Sequence, residues 1–176
     1  MAEAEWLDSV AADERDTAAQ LQQLSTAHSI LHDLKLEEVQ GNIDHLVIAP
    51  NGVWVVDAKR YLNGKLERRD VGGFFRTDLR LFVGGRDKTT LVQGVQKQMD
   101  IVETFLRGTD FPEVPVHGAL CFVNIQKGWF TKPFRITGVS VTWRKHLVDP
   151  MLAPAVLDAD GRTALTRLLA THFKDK

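Results

Sequence analysis

Asp44, Asp57 and Lys59 fall within a sixteen-residue window, Asp44 to Lys59, in a stretch dense in β-branched and aromatic side chains. Carboxylate oxygens suit hard divalent cations such as Mg²⁺, which is commonly held by one or two of them together with water and a substrate phosphate. A metal between the two aspartates would polarise a phosphate and lower the pKa of a bound water, giving hydroxide at neutral pH. The backbone carbonyl of Ala58 would add a third oxygen. Lys59 would position that water or stabilise charge developing on the phosphorane-like transition state. These parts amount to phosphodiester hydrolysis. The same residues would also make a simple Asp–Lys ion pair at the end of a hairpin. As a bare pattern, Asp-x12-Asp-x-Lys is common; placement inside a buried element, where unpaired charge is expensive, gives it weight.

The element that must hold these residues runs from Asn42 to Arg60. Two strand-like runs flank Pro50-Asn51-Gly52, and Asn-Gly tolerates the positive φ of a tight turn, so the stretch reads as a β-hairpin. With Asn51-Gly52 as the loop, Pro50 pairs with Val53, Asp44 lies opposite Lys59 and Asp57 lies opposite Leu46. Side chains alternate along a strand, so Asp44, Asp57 and Lys59 share one face with Leu46, Ile48, Val53 and Val55. Val47, Trp54 and Val56 take the other face. A ribbon apolar on both sides belongs inside a layered α/β fold.

Around it the chain reads in order. Residues 3–24 carry Trp6, Val10, Thr17, Leu21 and Leu24 at helical spacing, with Asp and Glu between them. Ser29 to Leu36 reads as a first strand. Residues 61–88, rich in Gly and Arg with apolar pairs such as Phe74-Phe75, read as short exposed strands or an excursion from the sheet. Thr89-Thr90 can cap a helix from about Leu91 to Arg107, with a stripe of Leu91, Val92, Val95, Met99, Val102, Phe105 and Leu106. Val116 to Val123 suits a central strand, 124–135 a loop carrying Trp129, Phe130 and Phe134, Val139 to Trp143 another strand, and 162–173 a final helix.

Composition narrows the class. With 44% hydrophobic and 26% charged residues the chain is not a disordered one, and 176 residues suit one domain with a full core. No apolar run approaches the ~20 residues that cross a bilayer, and the acidic N-terminal stretch does not read as a signal peptide. The lone cysteine, Cys121, forbids an internal disulfide and lies in an apolar run, as a buried thiol would. A cytoplasmic location is expected, with no membrane partner; a homodimer is compatible with the sequence. Charge is unevenly spread. Residues 1–40 hold nine acids against two bases, and residues 59–88 nine bases against four acids. The basic segment suits a polyanion, although a solvated mixed-charge face would look the same.

The stretch Gly41 to Lys59, with its Ile43-Asp44-His45 core, Pro50-Asn51-Gly52 turn and Asp57-Ala58-Lys59 end, closely resembles the central motif of the nuclease-related domain (NERD) family. Asp13-Glu14-Arg15 resembles that family's acidic position on its first helix. The resemblance is strongest over 41–60, extends over about 10–145, and implies that 1–176 is a single nuclease-related domain. It implies the PD-(D/E)xK superfamily and its three-layer, restriction-endonuclease-like α/β fold. In that fold a central mixed sheet carries the active site on a β-hairpin, with helices on both faces. It further implies Mg²⁺ or Mn²⁺ held by Asp44, Asp57 and the Ala58 carbonyl, catalysis by Lys59, and Glu14 as an additional acid. The expected activity is metal-dependent cleavage of phosphodiester bonds in nucleic acid, DNA in the first place. Arg60, Lys65, Arg68 and Arg69, with Gln93 and Lys97 on the 91–107 helix, are candidates to contact its backbone. The alternative is a non-catalytic module that keeps the fold and binds nucleic acid or protein.

Other constellations do not assemble. His28 and His32 straddle a helix end and a strand, which is a poor arrangement for zinc. His45 alternates away from Asp44 and is expected to pack against the core. No phosphate-binding loop, His-Glu-x-x-His pair or Gly-x-Ser-x-Gly elbow is present.

Overall fold

The computed structural model of the chain describes residues 29–35, 42–61, 64–123, 132–152 and 154–173. The β-branched runs form β1 (Ser29–Lys35), β2 (Asn42–Ala49) and β3 (Gly52–Arg60), each antiparallel to the next. The chain then leaves the sheet for a separate three-stranded unit of β4 (Leu66–Asp70), β5 (Leu79–Val83) and β6 (Arg86–Asp87). It returns through helix α1 (Thr89–Arg107) to β7 (Val116–Val123), which pairs parallel to β3. The short β8 (Phe134–Ile136) and β9 (Val139–Trp143) follow, with β9 parallel to β7, and helix α2 (Ala159–His172) comes last. The six-stranded mixed sheet has the order β1-β2-β3-β7-β9-β8.

Faces of the hairpin come out as alternation requires, but its register does not. Ala49 pairs with Gly52, and the ladder runs back to His45 opposite Val56. The turn is therefore Pro50-Asn51, and the pairing is shifted by two residues from the one that Asn-Gly suggests. Proline explains the shift: a Pro50–Val53 pair would need an N–H that Pro50 lacks. Val53 instead donates its N–H to Pro115 O, at 2.9 Å. The turn is built in rather than free. Asn51 Nδ2 donates to Pro150 O and Trp54 Nε1 donates to Asn51 Oδ1, each at 2.9 Å, while Pro50 O accepts from the N–H groups of Val156 and Leu157. Gly52 opens β3 with φ +134°, and a Cβ there would lie 2.3 Å from Pro115 O. Gly52→Ala is therefore expected to cost at least about 2 kcal/mol. A urea unfolding midpoint equal to the parent's would show that the turn relaxes around the methyl group.

Leu46, Ile48, Val53 and Val55 pack with Leu120, Phe122 and Val141 against Val92, Val95, Val102 and Leu106 of α1 and Leu165 and Leu169 of α2. Gly118 lets α1 come this close, since a Cβ on it would sit 2.4 Å from Met99 Sδ. On the opposite face Val47, Ala49, Trp54, Val56, Ala119 and Cys121 pack under Leu147 and Met151; Leu147 ends the 3₁₀ helix Arg144–His146 and Met151 lies within a second, Asp149–Leu152. The result is a three-layer α/β fold with helical segments on both faces of a mixed sheet, as the resemblance implied. The helix expected at 3–24 lies outside the described residues.

Three boundaries differ from the sequence expectation. Helix α1 starts at Thr89 with Lys88 in the capping position and no side-chain cap. The Thr89 hydroxyl is occupied elsewhere, donating to Asp87 Oδ1 and accepting from Leu81 N–H. Helix α2 starts at Ala159 because Asp158 Oδ1 caps it, accepting from Gly161 N–H at 2.7 Å. Part of the segment expected as loop is the three-residue strand β8, turned into β9 by Thr137 and Gly138, both at positive φ.

Candidate active site

The parallel register of β3 on β7 sets Asp57 beside Leu120 and Lys59 beside Phe122. Both side chains therefore stand on the α1 face, at the carboxyl ends of two parallel strands, where open α/β sheets place their ligand sites. Asp44 reaches the same point from β2. Its Oδ2 accepts the N–H of Ala58 at 3.0 Å, just past His45–Val56, the last pair of the hairpin ladder. Opposite it on β1, Asp33 takes φ +51° and the β1–β2 pairing skips that position. Lys59 Nζ donates to Asp57 Oδ1 in an ion pair. The three residues singled out from the sequence are thus brought together, with Ala58 between them.

Electrostatics at this point are strained. Asp57 is only 7% exposed. Its burial pushes the carboxyl up to about 7; the Lys59 charge opposes the shift, and Asp44 adds to it through its charge and a side-chain hydrogen bond. Among the described residues no cluster of three His, Cys, Asp or Glu side chains gathers to bind metal. Asp44 and Asp57 supply two carboxylates, a donor type that suits Mg²⁺ completed by water and substrate phosphate.

The remaining candidates lie at the end of β3, on or beside β4, and on α1. Arg60 ends β3 directly after Lys59. Lys65 and Arg69 share Glu67, the first pair at 2.8 Å, and Arg68 lies 5.8 Å from the ring centroid of Phe134. Gln93 and Lys97 are exposed on α1. Glu14, Trp129 and Phe130 lie outside the described residues. On α1 a different residue reaches towards the hairpin's open end: Gln98 Nε2 donates to Asn42 O at 2.9 Å, and its Oε1 is buried without a partner among the described residues. Its one local signal is its position on the half-polar flank of the apolar stripe.

His45 is buried as expected, but it has a partner that the sequence does not announce. It sits directly across from His32, with Nδ1 to Nδ1 at 2.9 Å. One ring donates and the other accepts, so at most one of the two can carry a proton on that nitrogen. Burial first, and the His32 charge second, hold His45 down at about 4. Cys121 is a buried thiol, pushed up to about 12 mainly by desolvation, and is no nucleophile.

Fold and hairpin together define a nuclease-like α/β domain. The nuclease-related domain (NERD) family matches residues 9–123, most of the chain and all of the hairpin. The chain belongs to that family. Neither a curated protein nor a solved structure matches it. Among the described residues no helix is long and apolar enough to cross a membrane.

Proposed function

We propose that this domain hydrolyses phosphodiester bonds in DNA with Mg²⁺ or Mn²⁺. The observation that supports it most is the meeting of Asp44 and Asp57 from adjacent strands, with Lys59 paired to Asp57, in a family of nuclease-related domains. Asp44, Asp57 and the Ala58 carbonyl would hold the cation, which when bound supplies Lewis acidity and a hydroxide nucleophile at neutral pH. Asp44, fixed by the Ala58 N–H, keeps its carboxylate over β3 instead of swinging to solvent. Lys59 holds a positive charge beside the carboxylates, where it can offset charge building on a phosphoryl oxygen. The basic segment from Arg60 through Lys65, Arg68 and Arg69 follows the phosphate backbone, with Gln93 and Lys97 on the same reading.

One observation favours the non-catalytic binding module. Asp44 Oδ2 is already engaged by the Ala58 N–H and Asp57 Oδ1 by Lys59, so the site is internally satisfied as it stands. Incubating the protein with linear, circular and branched DNA plus Mg²⁺ or Mn²⁺ separates the two readings. Cleavage that Lys59→Ala reduces at least about 100-fold is expected from loss of charge stabilisation. DNA binding without cleavage, unchanged by Asp57→Ala, would establish the binding module instead.

A further inference from the structure

The β4–β5 hairpin ends in two aromatic side chains that touch almost nothing. Phe74 is 105% exposed and Phe75 103%, as open as in an extended peptide, and Val71 beside them is exposed too. Apolar rings in full contact with water are unfavourable, and isolated monomers normally fold them inward. Here the backbone prevents it. Asp70 Oδ1 accepts from the N–H groups of Gly72 and Asp78, each at 2.9 Å, and Val71 N–H donates to Asp78 O. Arg76 N–H closes the tip onto Gly73 O. At Gly72 the chain crosses itself so closely that a Cβ would lie 1.8 Å from Arg76 O. The tip is a built platform.

Its root lies at the candidate active site. β4 begins seven residues after Lys59, and Leu66, Leu81 and Val83 at its base belong to the main core. Lys88 lies 5.9 Å from the ring centroid of Tyr61, which stacks near Phe122 beside Lys59. Five residues of strand at about 3.4 Å each set the tip about 17 Å along the hairpin from its root. Along the way residues 64–88 hold seven bases (Lys65, Arg68, Arg69, Arg76, Arg80, Arg86, Lys88) against four acids (Glu67, Asp70, Asp78, Asp87). Lys65, Arg69 and Arg80 are paired to those acids, and the hairpin keeps a net positive charge, which matches phosphates along its length as the naked aromatics match bases at its tip. Phenylalanine stacks on any base face without reading sequence. A paired base must first be unstacked, whereas an unpaired one offers its face at once.

We propose that Phe74 and Phe75 form a stacking tip for unpaired bases, so that this domain engages DNA through a single-stranded or forked segment. The choice of nucleic acid as partner rests on the nuclease reading above; the stacking itself is measured without cleavage. The full chain is titrated in EDTA with forked DNA carrying 2-aminopurine at an unpaired position, and with a blunt duplex of the same length. Wild type is expected to prefer the fork and quench the fluorophore. Phe74→Ala/Phe75→Ala should lose the quench and at least about tenfold of the fork preference, the scale of one stacked base. Phe74→Trp/Phe75→Trp should keep both. Both variants change only side chains without contacts, so circular dichroism should match the parent's.

Equal quench and fork preference in the double-alanine variant would overturn the proposal. So would sedimentation of wild type, but not of that variant, with phosphatidylserine vesicles in the absence of any DNA quench, since the tip would then be a membrane anchor. Quench with no cleavage in Mg²⁺ or Mn²⁺ would retain the stacking tip and remove the nuclease reading. Cleavage with no quench would do the reverse.

Discussion

Asp57→Asn is expected to lose cleavage by about 10³-fold and, in the same tube, to gain stability. The two effects have one origin. A carboxylate pushed up to about 7 by burial and by Asp44 is held in the folded state against its preference. Its folded pKa is raised above the unfolded value, so its contribution is fully favourable below about pH 4 and is lost as pH rises through about 7. Above pH 7 the folded protein therefore carries a penalty on the order of 4 kcal/mol, since each pH unit between the folded and unfolded values is worth about 1.4 kcal/mol. Asparagine keeps the shape and removes the charge, and the lost Lys59 pair takes back part of the gain. In EDTA at pH 8 its Tm should exceed the parent's by roughly 5–10 °C for a chain of this size, and the gap should close as pH falls towards 4. The activity loss follows from removing a proposed cation ligand and half of the Lys59 pair. A variant no more stable than the parent at pH 8 would mean that Asp57 carries no stored electrostatic strain. A variant that still cuts would remove it from the site.

The second large effect has the opposite pH sense. His45 is 3% exposed and held down at about 4. A depressed histidine contributes stability that is present above its unfolded pKa near 6.5 and lost as pH falls through the folded value. Between about pH 6.5 and pH 4 this group alone should withdraw on the order of 3 kcal/mol. The ring it loses on protonation is that of His32, 2.9 Å away from Nδ1 to Nδ1. His45→Leu fills the same space without a buried Nε2 that lacks a partner among the described residues, and should flatten the acid limb of the stability curve. The comparison is cleanest in the Asp57→Asn background, where the compensating gain from Asp57 on acidification is absent. Parallel curves for the two proteins from pH 7 to pH 4 would show that His45 does not drive the acid response.

Much of the centre was legible because side-chain alternation is robust to a two-residue change of register. Such a slip exchanges neighbours but not faces, so Asp57 and Lys59 stayed with Val53 and Val55 although Asp57 does not lie opposite Leu46. The slip itself was legible in principle from Pro50, which cannot donate the hydrogen bond that the Asn-Gly loop demands. Other features had no local signal. His32 meets His45 only through the β1–β2 pairing, and β8 is too short for any period to show. The segment holding Phe74-Phe75 reads as exposed strands or an excursion, which does not say where the two rings point. Only the Asp70 bracket and the crossing at Gly72 reveal that they face outward.

The turn at Pro50-Asn51 has a consequence for how the molecule comes into being. A β-hairpin is ordinarily among the most local of structures, able to close in microseconds from neighbouring residues. This one is fastened by Pro150, Val156 and Leu157, about a hundred residues further along, and its outer edge lies on β7 in parallel. Its closed end is thus a contact of high order, and the loop entropy spanning those residues must be met before the fastening rewards it. During synthesis that closed end stays unfastened until the segment carrying Pro150 to Leu157 has emerged and docked.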